Sequence, residues 1–281
     1  SRLRRQNSEG PYPDMTPEYF IRRNAVEFAT EILPNTEEEN YPAANIINRL
    51  SYKWWRVVGA TAFVDLTWAA AETLRELVVR FHTVRSPRDK FHNFGASDTI
   101  EIRLSNVAAG NNEIYGTGAL PLVVDDHGYA HVKLPQNYAA AFARVTIAAP
   151  DLIAAGDLIE IEEMHFGVPW TPKQNPNIGS KTDHTDMTEF DIGEYSGAHI
   201  GEPKARYDEF ERTWGVFTVA EAVEWDRFKR THGTSRTFIF IASANEPLLK
   251  QPLVARFTKA PNRSDIGAGK FEVSATIVEN R

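Results

Sequence analysis

The chain has 281 residues, 42% of them hydrophobic and 25% charged, with a formal net charge of -7. That is long enough for one large domain or two ordinary ones with real cores, and too acidic for a general nucleic-acid binder, which needs clustered Lys and Arg. The absence of cysteine excludes disulfides, thiolate metal sites and thiol nucleophiles, and fits folding in a reducing cytoplasm.

Residues 1–40 read as a polar, extended arm. It opens with the basic cluster Arg2, Arg4, Arg5 and is broken by Gly10, Pro11 and Pro13. The stretch lacks the apolar core of a signal peptide, and no run of about 18 apolar residues occurs anywhere, so no membrane insertion is expected. Within the arm, Thr16 as N-cap, Pro17 at the first helical position and Glu18 predict a short helix over 16–33. The run Glu37, Glu38, Glu39 predicts a solvated loop.

From Tyr41 to 170 the pattern is mainly β. The segment YPAANIINRLSYKWWRV (41–57) sets a polar-apolar turn before the pair Trp54 and Trp55 and before Arg56. Strands are predicted at 60–66, 77–84, 99–104, 120–124, 130–134, 143–148 and 158–164. Apolar flanks around Asp125, Asp126, His127 and Gly128 predict a hairpin. Seven short strands at this spacing read as a β-sandwich. The exception is 67–77, whose Ala, Glu and Leu content favours helix and which reads as a short helix or loop feeding the next strand.

Residues 171–205, rich in Pro, Asn and acidic side chains, predict an inter-domain linker. From 206 to 281 a small α+β domain is predicted in the order β-α-β-β-β. A strand over 210–216 leads into the capping box Thr218-Val219-Ala220-Glu221. The helix runs through Ala222, Trp225 and Phe228 and stops at Gly233, with Lys229, Arg230 and His232 suited to its C-terminus. Strands over 237–242, 253–259 and 271–278 complete the sheet.

No nucleophile elbow, phosphate loop, zinc-helix motif or dinucleotide fingerprint is present. Three constellations contain residues that can do chemistry. Asp183, His184, Asp186, Glu189 and Asp191 read either as a metal loop or as a solvated acidic linker; their spacing matches no known metal loop. Glu160, Glu162 and Glu163 with His165 read either as paired carboxylates for acid–base work or as a strand with one wet face. Trp54, Trp55 and Arg56, with His92 and Asn93 downstream, form a candidate ligand site. Indole stacks against sugar rings, while Arg and Asn bond hydroxyls. The competing reading makes one Trp a core plug. Consecutive strand residues face opposite ways, so at least one of the two faces away from the core.

The two halves of the chain each carry a family resemblance. YPAANIINRLSYKWWRV, AFVDL, FHNFGASDTIEIRLSN and IEIEEMHFG are similar to discoidin-like (galactose-binding-like) β-sandwich domains. Arg206, Phe210, Trp214, TVAE, WDRFKRTHG and SRTFIFIA resemble the belt domain of distal tail proteins. Together the chain resembles a tail-tip structural protein of tailed bacteriophages, although the order of the two domains is reversed from that of typical distal tail proteins. The resemblance implies a non-enzymatic virion protein, assembled in the bacterial cytoplasm without a cofactor. Its partners would be copies of itself in a ring, other tail proteins and, at most, a host-surface saccharide. It also implies that Trp214, Trp225, Phe228 and Arg236 lie at interfaces. The alternative is a carbohydrate-binding module protein using Trp54 or Trp55, Arg56 and His92.

Overall fold

The structure is a computed structural model that describes residues 18–47, 53–82, 94–107, 111–125, 128–173, 181–186, 189–192, 199–202, 206–242 and 252–279. In chain order its strands are β1 (Tyr19–Ile21), β2 (Glu31–Pro34), β3 (Trp55–Arg56), β4 (Thr61–Phe81), β5 (Thr99–Ser105), β6 (Glu113–Gly116), β7 (Leu120–Pro121), β8 (Tyr129–Ala148), β9 (Glu160–Gly167) and β10 (Pro169–Trp170). They continue with β11 (Lys181–Asp186), β12 (Glu189–Ile192), β13 (His199–Glu202), β14 (Arg206–Phe217), β15 (Phe238–Ile241), β16 (Leu253–Phe257), β17 (Asn262–Gly267) and β18 (Lys270–Glu279). Helix α1 (Pro150–Ala154) is short; α2 (Val219–His232) is the main helix. The described architecture is mainly β with one α+β unit, as predicted.

The first sheet runs β3-β9-β4-β8-β5-β6, with β2 on β4 and β7 on β5. Two long strands, β4 and β8, make it a sandwich. Residues 61–67 pair with 142–148 in one layer, and residues 76–80 pair with 129–133 and with β9 in the other. The register breaks between Thr67 and Glu72 and again between Leu74 and Glu76, which is where the sheet bends. The two predicted strands at 130–134 and 143–148 are therefore one element. The predicted helix at 67–77 is a correction: it is strand. Trp68 and Leu74 plug the core there while Ala69, Ala70 and Ala71 sit exposed on the bend. Helix propensity is worth tenths of a kcal/mol per residue, and two flanking ladders override it.

The second sheet runs β10-β1-β15-β16-β18-β14-β11, with β17 on the side of β18. Helix α2 lies against it, held at its start by the predicted capping box: Thr218 accepts from the backbone N–H of Glu221, and Glu221 accepts from that of Thr218. Gly233 ends it at φ 53°.

This unit takes strands from outside the predicted limits 206–281. β1 comes from the expected arm and inserts between β10 and β15; β10 ends the sandwich; β11 comes from the expected linker. The predicted N-terminal helix is likewise corrected, since residues 19–34 form β1, a 3₁₀ turn at Ala25–Phe28 capped by Asn24, and β2. The cause is apolar burial: Phe20 is fully buried, surrounded by the rings of Trp170, Trp214, Trp225, Phe228, Phe238 and Phe240. β17 was not anticipated because all six of its residues are exposed and most are polar.

The outer face of β4, β8 and β9 packs against the second sheet. Val78 and Tyr129 of the sandwich belong to the second unit's core, and the Tyr129 hydroxyl accepts from the backbone N–H of Val254 at 3.2 Å.

Candidate functional site

The turn that opens the sandwich is tied by its own side chains. The Asn45 amide donates to the Trp54 carbonyl at 2.9 Å, and the Glu37 carboxylate accepts from the backbone N–H of Ala43 at 2.8 Å. Backbone bonds from Arg56 to Tyr41 and from Glu38 to Arg56 close it. Strand alternation then separates the tandem tryptophans. Trp55 is a core plug, 1% exposed, with its indole N–H on the Thr36 carbonyl. Its place in the candidate ligand site is corrected on that ground.

Trp54 and Arg56 face outward together and meet four residues that the sequence did not assign to this site. The Trp54 indole stacks on Tyr41 (5.0 Å, 26°) and on His82 (3.7 Å, 10°). The Arg56 guanidinium lies 4.1 Å from the Tyr41 ring centre. Its Nε donates to Glu160 at 2.7 Å and its second nitrogen to Glu38 at 3.1 Å, and the Trp54 N–H also reaches Glu160 at 3.2 Å. The cluster is part-open: the Glu38 side chain is 42% exposed, that of Arg56 21% and that of Glu160 8%. Burial, together with the nearby charges of Arg80 and Arg56, pushes the His82 imidazole down to about 4, so it is neutral near pH 7. His92 and Asn93 lie outside the described residues.

The three β9 carboxylates are held inside the fold, which corrects the reading of a wet strand face. All eight β9 residues are buried. Glu162 pairs with Arg80 at 3.3 Å, and burial pushes its carboxyl up to about 7, with Arg80 pulling the other way and Glu163 adding to the rise. Glu163 is in contact with His165 at 2.6 Å and accepts from Thr237 of the second unit at 3.0 Å. Burial alone would raise its carboxyl, but His165, Arg80 and Thr237 hold it below the usual range. Nearby, Glu76 accepts from Tyr19 of β1 at 3.0 Å and sits 2.9 Å from His131. Glu18 accepts from Arg212 at 2.6 Å. Apart from Glu18–Arg212, which joins two residues of the second unit, these contacts form a polar seam between the two sheets.

Trp214, Trp225 and Phe228, expected at an interface, are corrected: all three are in the second unit's core, at most 2% exposed, with Trp225 at its centre. An amphipathic helix buries its large rings wherever it has a sheet to cover. Arg236 is exposed between α2 and β15. Asp183 is exposed on β11, and the other side chains of the acidic run lie outside the described residues. Among the described residues no group of three or more His, Asp or Glu is placed to hold a metal ion.

Comparison with known proteins adds likenesses of fold. No protein-family model matches the chain, and no curated protein matches it. Among solved structures, a family 32 carbohydrate-binding module from Clostridium perfringens NanJ, in complex with galactose, is 16% identical at a TM-score of 0.37, over 53% of this chain and 98% of that one. A module of Clostridium perfringens CpGH89 (CBM32-5), in complex with GalNAc-β-1,3-galactose, is 14% identical at 0.37, over 49% and 94%. The lectin-binding domain of Lectinolysin, complexed with Lewis b, is 8% identical at 0.39, over 52% and 97%. The tail-tip resemblance of the sequence has no counterpart in these three.

Proposed function

We infer that the chain acts by binding rather than catalysis, and that it binds saccharide hydroxyls at the Tyr41–Trp54–His82 row. The observation that carries this reading is the convergence of Arg56, Glu38 and Glu160 on a rigid aromatic row at the mouth of the sandwich. A guanidinium and a carboxylate side by side match the donor and acceptor pattern of vicinal hydroxyls. Because Trp54 is already stacked on Tyr41 and His82, recognition here is polar, through Arg56 and the carboxylates, not a ring laid on a free indole. This departs from the stacking platform expected from the sequence.

Galactose, GalNAc-β-1,3-galactose and Lewis b, the saccharides held by the structures compared above, make the first panel. Isothermal titration against them and a wider glycan array tests the reading. Arg56→Ala and Glu38→Ala should each weaken binding roughly tenfold or more, the loss of one charged hydrogen-bond partner. No binding to any glycan, or binding indifferent to both changes, overturns it.

A second reading, a self-assembling virion component, is favoured by the exposed edge strand β17. Electron microscopy of purified protein and of particles tests it; a strictly monomeric protein absent from particles would remove it.

A further inference from the structure

Strand β17 leaves one edge of the second sheet open. It pairs with β18 from Asn262 to Gly267, and among the described residues no other strand covers it. An uncovered edge presents backbone N–H and C=O groups to any extended partner. Proteins usually blunt such an edge with a bulge, a proline or charges of one sign, and this one has Pro261 before it and a bulge between Asp265 and Gly267, which leaves 262–265 as the regular stretch. Here the two charges are of opposite sign and symmetric about one residue, in the order Arg263, Ser264, Asp265.

That order is self-complementary. If two copies of β17 pair antiparallel about Ser264, Arg263 of each lies opposite Asp265 of the other, within the regular stretch 262–265. Strand alternation puts Arg263 and Asp265 on one face of the sheet, so both cross-strand pairs form on that face. It is the face that carries α2, because Arg263 donates to Asp226 of the helix.

The flank of the edge is apolar. Ile266 is 51% exposed, and Val219 and Val223, one turn apart on α2, are 57% and 44% exposed. A Cβ at Gly269, in the β17–β18 turn, would sit 3.8 Å from Val219, so the helix patch is continuous with the hairpin. Val216, 38% exposed, adjoins it in sequence at φ 60°, an unusual conformation for a β-branched residue. A two-fold pairing of the edges brings both α2 helices, with Val219 and Val223, to the same side of one continuous sheet.

We propose that β17 is a self-association edge, at which two copies of this chain join antiparallel about Ser264 into one continuous sheet. The contact is isologous and closes on itself, so it gives a dimer and not an open chain. It does not rest on the saccharide reading.

Analytical ultracentrifugation of the full chain over a concentration series tests it. The expected result is a monomer–dimer equilibrium. Asp265→Arg, which sets like charges opposite each other twice, should weaken the dimer roughly tenfold or more. The swap Arg263→Asp/Asp265→Arg should restore it. Ser264→Lys places two ammonium groups at the axis and should also give monomer, with circular dichroism unchanged. A wild-type protein that is monomeric at every concentration overturns the proposal. So does a dimer indifferent to both Asp265→Arg and Ser264→Lys. Glycan binding by the Asp265→Arg monomer is read separately, so that failure of either idea leaves the other standing.

Discussion

Replacing Phe20 by Ala is the sharpest test of how this chain is put together. Phe20 lies on a three-residue strand that the sequence assigns to a loose arm, yet it is fully buried. Its ring centre is 5.2 Å from Phe240, 5.5 Å from Phe228 and 5.9 Å from each of Trp170, Trp214, Trp225 and Phe238. Truncating a buried Phe costs about 3–5 kcal/mol. The six ring contacts overlap and do not add independently, so they move the expectation to the upper half of that range, about 4–5 kcal/mol. For a chain of this size that is a fall in Tm of roughly 8–20 °C. Urea unfolding followed by both tryptophan fluorescence and circular dichroism reads it. Trp170, Trp214 and Trp225 report on the second core directly. Phe20→Leu, which keeps most of the volume, should lose under about 2 kcal/mol. A loss below about 1 kcal/mol for Phe20→Ala would mean that β1 is not built into the second unit, and the fold described here would fall with it.

Glu162→Gln tests the seam through pH. The folded-state value of about 7 lies above the reference 4.5, so the folded form holds the extra proton and stability falls as pH rises between those values. The Gln variant should gain relative to wild type by about 3 kcal/mol across that window, read as the difference between two urea-unfolding series; a flat difference would refute it. His82 behaves oppositely: its folded value of about 4 lies below the reference 6.5, so stability is lost as pH falls through that range. His82→Phe should keep the stack on Trp54 and abolish the acid-dependent change in Trp54 fluorescence. Gly167→Ala should unfold or severely destabilise the protein, because a Cβ there meets the Arg23 carbonyl at 2.3 Å; a wild-type Tm would show that the close approach is wrong. Thr218→Ala removes the α2 cap and should cost about 1 kcal/mol by urea unfolding.

The parts of this fold that are legible in the sequence are those decided locally. The capping box of α2, the Asp125–Tyr129 hairpin and the Asn45 turn each use side chains within a few residues of their targets. What is not legible depends on distant partners. The stretch 67–77 has helix-forming composition, and only β8 and β9 make it strand. β1 is a strand because β10 and β15 lie on either side of it, both far from it in sequence. The candidate site divides the same way. Alternation alone separates Trp54 from Trp55, but the meeting of Trp54 with His82 and Glu160 joins positions far apart in sequence, and no local spacing reports it.

One strand, β9, serves the candidate site and the seam together, and a single inserted residue allows it. Glu160 faces Arg56 and Trp54, while Ile159 and Ile161 enter the sandwich core. Strict alternation would next send Glu163 and His165 into that core and turn Met164 and Phe166 outward. Two uncompensated polar groups in the core would cost several kcal/mol. The register instead slips: Phe81 pairs with Ile161 and Arg80 with Glu163, leaving Glu162 as the extra residue of a bulge. Parity is reset past that point. Met164 and Phe166 fill the core, and Glu163 and His165 turn toward the second sheet, where Thr237 completes the contact. The bulged residue does not go unused. Glu162 sits against Arg80 and 4.0 Å from His82, between the ring that stacks on Trp54 and the guanidinium of the seam. A residue added to or removed from 161–163 would therefore disturb the aromatic row and the joint between the sheets at once.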